Sequence, residues 1–535
     1  MIMHLPAVKK ILSRLTLSAG LILFGGLYVV CPRPASSQSS LDALDKVFDQ
    51  HLSTPDRLSD DQILSKLNKI RSSFFVEAQK MSLQDCLLIG LRQNVQLVSA
   101  YESIKQYQYQ KLATQLQNLP TLSVDIEPLW GRLHEYTSTE MYQSAIPITL
   151  NGKYEVFDSQ SQSYTITRSN AYYPYLTLDW AFFQPANWAQ ASSASSLVAA
   201  QKLAFDVTAR SVILNIQQSY FQLQASKALV DAYEKIYKLN AEQVIIVESK
   251  FNSGLVDIGV VEQAKTQLYS QTSQLISYYQ KYLQDAASLS FQMNSSDGLV
   301  VLPIDNLEQS SSWALSLPQT ISQALELREE IKKYIEMEKS YIWQARAAIR
   351  KYLPVFSFQV NYDGEIQKGK YQSSPLPPLK QKYTYDSTTY GIYFSWDIFD
   401  GGVSAAEASG YRAQARQQKS DAEYQRLKVL EQIRQTYGKY KTSNLNAINS
   451  TRNLEAAKAS YAVQIARFNV GLSDMTSIIQ SIQLLGDAIE TKIEALRAYN
   501  QSIAELYRYS AEWPDGMQSI ISERFKHFSS LKHSP

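Results

Sequence analysis

The sequence predicts a mainly helical protein with a membrane β-barrel portion, built from two ββαα-type repeats per chain. Three observations lead there. Landmarks recur in the same order in both halves; two helical stretches are far longer than a globular core needs; and short strands carry one apolar and one polar face.

The recurrence comes first. Ser82-Leu83 with Leu87 and Leu91 reappears as Ser316-Leu317 with Ile321 and Leu325, and Leu119-Pro120 as Leu353-Pro354, at an offset of about 234 residues. Trp180 and Phe183 answer to Trp396 and Phe399. Lys250-Phe251-Asn252-Ser253-Gly254-Leu255 with Asp257 answers to Arg467-Phe468-Asn469-Val470-Gly471-Leu472 with Asp474, these landmarks now lying at an offset of about 216 to 217. The shortfall of roughly 18 residues falls between the Leu-Pro and Trp landmarks and marks that connection as a variable loop.

At the N-terminus Lys9, Lys10 and Arg14 precede an apolar run, Leu15 to Val30, and a small-residue patch at Ala35 to Ser37, so residues 1–37 read as a secretory signal peptide. A single membrane helix is the rival, for which the run is short. Cys31 invites a lipoprotein reading, against which Val30 stands where a small residue belongs. After cleavage only Cys86 remains, and no intrachain disulfide is expected. The segment 38–81 reads as an N-terminal linker, and 514–535 as a disordered tail.

Repeat 1 spans 82–298, a linker 299–315, and repeat 2 316–513. Each begins with a segment poor in helix breakers, Leu83 to Asn118 and Pro318 to Tyr352. Two strands follow. Then comes a long helix, Ala186 to Ser253 or Val403 to Val470, the first without Gly or Pro and on the order of 100 Å long at 1.5 Å per residue. A shorter helix returns, Asp257 to Met293 or Ser473 to Trp513, so each long helix can pack antiparallel against a stacked pair. In the second long helix Leu430, Ile433, Tyr437, Tyr440, Ala447, Leu454, Tyr461, Ile465 and Phe468 follow coiled-coil steps of three and four. Asn444, Thr451 and Lys458 fill the missing steps, a partly polar seam that suits helices lining a wet interior.

The strands alternate. Leu122, Val124 and Ile126 interleave with Ser123, Asp125 and Glu127; Leu176, Leu178, Trp180 and Phe182 with Thr177 and Asp179; Phe356, Phe358, Val360 and Tyr362 with Ser357, Gln359 and Asn361; and Tyr390 to Ile398 with Tyr393, Ser395 and Asp397. A soluble antiparallel sheet and a lipid-facing barrel wall both have this pattern. Export, and Trp130, Tyr172, Tyr173, Tyr383 and Tyr385 near strand ends among 35 Tyr in all, favour the barrel. Four strands cannot close one, because an open edge in hydrocarbon leaves backbone groups unpaired, so the chain must oligomerise.

Net charge is +2 with scattered basic residues, which makes nucleic acid a poor partner. The five His show no metal-ligand spacing, and there is no nucleophile motif or phosphate-cradling loop, so no catalytic, cofactor or metal site is expected. Asp125 and Glu127 imitate a carboxylate pair, but their neighbours point to a lumen wall.

Trp396-Asp397-Ile398-Phe399-Asp400-Gly401-Gly402, Ala466-Arg467-Phe468-Asn469-Val470-Gly471-Leu472 and the two Leu-Pro steps resemble the strand-to-helix, helix-tip and helix-to-strand signatures of the TolC family of outer-membrane efflux and secretion ducts. The likeness covers roughly Ser82 to Trp513. It implies a homotrimer in which four strands per subunit form one 12-stranded barrel in the outer membrane, continued by a coiled α-helical barrel through the periplasm. It also implies a periplasmic adaptor and an inner-membrane pump or ABC translocase as partners, in efflux or type I secretion. Residues 38–81 would then wrap the middle of the tunnel, and Asp125, Glu127, Asp179 and Asp397 would face the barrel lumen.

Gly254 and Gly471 end the long helices where a left-handed residue is needed, and Asp257 and Asp474 sit where a carboxylate caps the returning helix. Capping explains those acids; a ring of carboxylates favouring cations at the tunnel mouth is the alternative. Ser477 and Gln480 occupy the places where family members with an acidic constriction resemble one another in carrying Asp, so that gate looks absent. Lys250 and Arg467 either hold a helix C-terminus by charge or lock tips together. The tip surface, with Phe251, Asn252, Leu255, Phe468, Asn469 and Leu472, is the expected adaptor dock. A non-conducting spacer between envelope layers is the competing reading, though its strands would need no polar face.

Overall fold

The computed structural model describes residues 60–76, 78–150, 153–295, 300–374, 376–514 and 516–530. The expected signal peptide, Cys31 and most of the 38–81 segment lie outside them. Contacts divide the chain into Met1–Lys69 and Ile70–Pro535. Apart from α1 (Asp60–Phe74), which begins in the first unit, every element below belongs to the second.

The element order is the same in both halves. The first has α2 (Leu83–Gln93), α3 (Val95–Leu116), strands, α4 (Pro185–Asn252) and α5 (Ile258–Met293). The second has α6 (Leu317–Leu327), α7 (Glu329–Arg350), strands, α8 (Val403–Asn469) and α9 (Met475–Ser510). A parallel pair of short strands, β1 (Gln79–Met81) and β6 (Val301–Pro303), joins the two approaches.

Capping boxes start both halves. Ser82 Oγ accepts from the Asp85 amide while the Asp85 carboxylate accepts from Ser82, and Ser316 makes the same exchange with Gln319. Each opening segment, expected as one helix, is broken in two. At Asn94 the side-chain oxygen takes the amides of Gln96 and Leu97, so the chain restarts instead of continuing the ladder. At Arg328 the guanidinium binds Glu330 and the Tyr509 carbonyl.

The helices form four columns. α3 and α5 both pack on α4; α7 lies between α4 and α8; and α9 continues the α6–α7 column against α8 and α4. The neighbour order is thus α2/α3 with α5, then α4, then α6/α7 with α9, then α8. Gly90 permits the tight approach of α2 to α4, where a Cβ would collide with Ile216 Cδ1.

The buried seam of α8 keeps one row of the expected one, Ile433, Tyr440, Ala447, Tyr461 and Phe468, and shifts the other by one residue. Ala408, Ala415, Ala422, Val429, Thr436, Ser443, Ser450 and Ala457 recur at heptad spacing, interleaved with Ile433, Tyr440, Ala447, Tyr461 and Phe468. Tyr437, Asn444, Thr451 and Lys458 sit on its flank because the small residues let α8 approach its neighbours more closely than a Tyr row would.

The strands are β2 (Thr121–Ile126), β3 (Arg132–Leu150), β4 (Lys153–Tyr172), β5 (Pro174–Phe183), β7 (Val355–Ser373) and β8 (Leu379–Ser395). β2 pairs with β5, and β3 with β4. β7 pairs with β5 and then β4 along one edge, and with β8 along the other, all antiparallel. β2/β3 and β4/β5 are therefore two interrupted lines in a four-line meander. Each line extends one column, since α3 leads into β2, β5 into α4, α7 into β7 and β8 into α8.

Three expectations change here. The extra residues of the first half, where described, lie in strands: they lengthen β3 and β4, which pair with each other beyond Thr165↔Ser373, the last partnership with β7. Tyr383 and Tyr385 lie within β8 and not at its end, and Trp396, Asp397 and Ile398 fall beyond it. The tail carries α10 (Met517–Ser530), ordered by burial of Met517 and Ile521.

Candidate channel surfaces and helical tips

Cross-strand partners share a face of a sheet, so the register assigns both faces. One face carries the rows Leu122–Leu178–Val360–Tyr390 and Trp180–Phe358–Ile392. The other carries Thr121–Asp179–Gln359 and Asp125–Tyr175–Asp363–Ser387. The apolar face is open to solvent in the single chain: Leu122 is 66% and Ile392 71% exposed. A contiguous apolar surface of four strands is costly in water and costs nothing against hydrocarbon. Asp125 and Asp179 lie on the polar face, Gln359 donating to the Asp179 carboxylate at 2.5 Å. Glu127 lies just past β2, its amide bonded to the Tyr173 carbonyl, and Asp397 is not a strand residue.

Aromatic residues mark both limits of the apolar zone. Register places Tyr172 and Tyr173 at the level of Ile366, Tyr383 and Tyr385, next to Trp130 in the β2–β3 connection. At the helical end stand Phe183, Phe356, Phe394 and Trp396, with Phe356 and Phe394 centroids 5.2 Å apart. Between the rows lie about ten residues per strand, close to 25 Å of height at a 40° tilt.

The joints between sheet and helices are latched identically. Trp180 Nε1 donates to the Asn118 carbonyl at 2.9 Å and Trp396 Nε1 to the Tyr352 carbonyl at 2.8 Å, each acceptor two residues before the Pro of a Leu-Pro step. Past the second latch, Asp400 takes the Gly402 and Ser404 amides and the Tyr352 hydroxyl at the start of α8. Bonds from Ser404 and then Tyr352 hold its carboxyl far below the usual range.

At the opposite end the tips are also alike. Leu255 N donates to Lys250 O and Gly254 N to Phe251 O; Leu472 N donates to Arg467 O and Gly471 N to Phe468 O. Both are Schellman turns, with φ of +72° at Gly254 and +77° at Gly471. Asp257 caps α5 through the Val260 amide at 3.2 Å, and Asp474 caps α9 through the Ser477 amide at 2.8 Å. The Ser477 side chain and amide lower the Asp474 pKa.

Lys250 does both things offered for it. Its Nζ donates to the Phe468 carbonyl at 2.9 Å, at the C-terminus of α8, and lies 4.0 Å from the Phe468 ring centroid, so it ties one tip to the other. Arg467 is exposed and supplies only its carbonyl to the turn. Leu255, Leu472 and Phe251 stay exposed, as do Asn252, Asn469 and Gln480, while Ser477 is half-buried beside its cap.

The sequence pattern of the outer membrane efflux protein family matches residues 90–295 and 320–512. The chain belongs to the outer membrane efflux protein family. No curated protein matches the sequence. Among solved structures the fold is similar to the CmeC outer membrane channel of Campylobacter jejuni, with a TM-score of 0.63, 16% identity, and coverage of 85% of this chain and 91% of that one. CusC, at TM-score 0.62 and 15% identity, covers 82% and 94%; VceC of Vibrio cholerae, at 0.57 and 13%, covers 80% and 96%.

Membership in the outer membrane efflux protein family accounts for the two-faced sheet and the outer-membrane location. Among the described residues no helix is long and apolar enough to cross a membrane. One buried cluster of this efflux-family chain escaped the sequence reading. Arg210 of α4 pairs with Glu329 of α7 at 2.9 Å, donates to the Glu512 carbonyl at 3.0 Å, and stacks 3.7 Å from the Trp513 ring centroid. Glu330 is bound by Arg328 and, at 2.7 Å, by Arg508. Burial pushes the Glu330 carboxyl up, but Arg508 and Arg328 outweigh it and bring it down to about 2. Buried charges spread over three helices, α4, α7 and α9, leave no periodic trace; the nearest clue is Arg328-Glu329-Glu330 in an otherwise helical run.

Proposed function

We propose that three copies of this chain close into a continuous duct, a 12-stranded barrel in the outer membrane and a helical barrel in the periplasm. In this role the protein is the outer-membrane channel of a tripartite efflux or type I secretion system. One observation carries the reading: sheet and columns share the same linear order and end in two unmatched edges, β2/β3 with α3 and α5 on one side, β8 with α8 on the other. Unpaired strand edges are untenable in lipid, and self-pairing removes them.

The helical edges carry exposed apolar side chains to match. Leu427, Leu445 and Val463 of α8 are exposed along one line of the helix, five turns from one to the next, with Tyr424 and Ile448 exposed beside them. Tyr109, Leu112, Leu116 and Ile276 are exposed on α3 and α5. The polar sheet face with Asp125, Asp179 and Asp363 becomes the barrel lumen. Exposed Phe251, Leu255 and Leu472 make the tips the dock for a periplasmic adaptor that links to an inner-membrane pump or ABC translocase. Asp257 and Asp474 act first as caps and would also bring six carboxylates to the mouth, with Ser477 and Gln480 behind them.

Purified protein reconstituted in a planar bilayer should give discrete channel steps from a trimer. Trimers that never conduct would favour the spacer reading, and a monomer in detergent and nanodisc alike would end the duct reading.

A further inference from the structure

A cavity of about 610 Å³ opens between α4, α8 and α9 beside the chain that follows β6. Its interior is apolar, lined by Ile236 of α4, Leu454 of α8, and Leu485, Ile489 and Ile493 of α9. Its margin is cationic: Lys227 and Lys235 come from α4, Lys458 from α8 and Lys492 from α9. Two acids, Asp231 and Asp305, share the margin, but the Asp305 carboxylate already accepts from the Tyr220 hydroxyl at 3.0 Å. Lys235, Lys458 and Lys492 pair with no carboxylate among the described residues.

A second observation concerns Tyr461. It lines the same cavity, is nine-tenths buried, and its hydroxyl has no hydrogen-bond partner among the described residues. Burial, with Glu242 adding, pushes the phenol up to about 12, so it remains a neutral donor at physiological pH. A buried donor without an acceptor costs about 1–3 kcal/mol, and a ligand oxygen would remove that cost.

A second copy of the chain is not the occupant. Leu454 and Val463 are about two and a half turns apart on α8, which puts the open stripe of Leu427, Leu445 and Val463 on the opposite side of the helix from the cavity. The volume falls in the range of small-molecule sites.

We propose that this cavity binds an anionic amphiphile of the fatty-acid class. The carboxylate is held by Lys458, Lys492 and the Tyr461 hydroxyl, and the unbranched tail lies along Ile236, Leu454 and Ile489. The site stands on its own geometry, independent of whether the assembly conducts.

The test uses full-length protein in phosphatidylcholine nanodiscs and two photoreactive probes with the same diazirine-bearing twelve-carbon tail. One probe ends in a carboxylate, the other in a trimethylammonium group. The carboxylate probe should label peptides containing Leu454–Tyr461 and Leu485–Leu496 at least about tenfold more than the ammonium probe. Lys458→Glu with Lys492→Glu should remove that preference, and Tyr461→Phe should weaken labelling severalfold while the helical circular dichroism is unchanged. Equal labelling by the two probes, labelling confined to the apolar strand face, or no labelling of α8 and α9 would each overturn the proposal.

Discussion

Arg210 is the most informative residue to perturb. Its side chain is 4% exposed and that of Glu329 10%, and Glu329 Oε2 has no partner among the described residues, so the guanidinium is the main compensation for a buried carboxylate. Removing one member of such a pair costs about 3–5 kcal/mol, because the remaining charge is stranded. The Trp513 stacking and the Glu512 carbonyl bond are lost as well. At about 1.4 kcal/mol per tenfold, local opening around the α6–α7 junction in Arg210→Met should be roughly two to three and a half powers of ten more frequent. Hydrogen exchange followed by mass spectrometry of peptides spanning Leu325 to Ile335 measures this in the intact assembly, where a global unfolding midpoint would be ill defined. Arg210→Met combined with Glu329→Gln should recover most of the protection, since no charge is then stranded. If the double variant opens as freely as the single one, the loss is one of packing and the electrostatic account is wrong.

Four further outcomes are expected. Leu427→Glu with Leu445→Glu should leave the fold intact and shift native-mass spectra from trimer to monomer, since the stripe has no role within one chain. Gly471→Ala forces a left-handed φ on a side chain and should cost about 1–2 kcal/mol locally, seen as faster exchange in the tip but not in the sheet. Burial, then Glu329, pushes the Asp206 carboxyl up to about 6 against relief from Arg210. The native state therefore binds more protons than the unfolded one between about pH 4 and 6, and this group's contribution to stability falls as pH rises through that window. Asp206→Asn should flatten local exchange protection there. Replacing Asp257 and Asp474 with Asn should lower the cation preference of the channel in a planar bilayer; unchanged selectivity would leave them as caps alone.

Much of the architecture was legible because it rests on local chemistry. Ser82 and Ser316 announce capping boxes, Gly254 and Gly471 announce left-handed caps, and the absence of breakers from Ala186 to Ser253 gives a helix within a residue of the observed α4. What went unread depends on tertiary context. That roughly eighteen extra residues should extend β3 and β4 is decided by hairpin pairing, for which Ser-, Gln- and Thr-rich sequence gives little signal. One row of the α8 seam was misplaced by one position, because Tyr437 and Asn444 share its spacing with Thr436 and Ser443 and only a neighbouring helix decides which set is buried; the row of Ile433, Tyr440 and Ala447 is buried as expected. Of the candidate site, Asp125 and Asp179 could be placed by alternation alone. Asp397 could not, since nothing in its neighbourhood marks β8 as ending at Ser395.

The two β-hairpins of one chain are unequal, whereas the two long helices, 68 and 67 residues, are nearly the same. In a ring of three, the stalk end would present six almost interchangeable hairpin turns, a pseudo-sixfold surface on which a partner docking at every second turn has two equivalent registers. The far rim would be crenellated, three tall arms alternating with three notches, and anything that meets the assembly from outside would see true threefold symmetry.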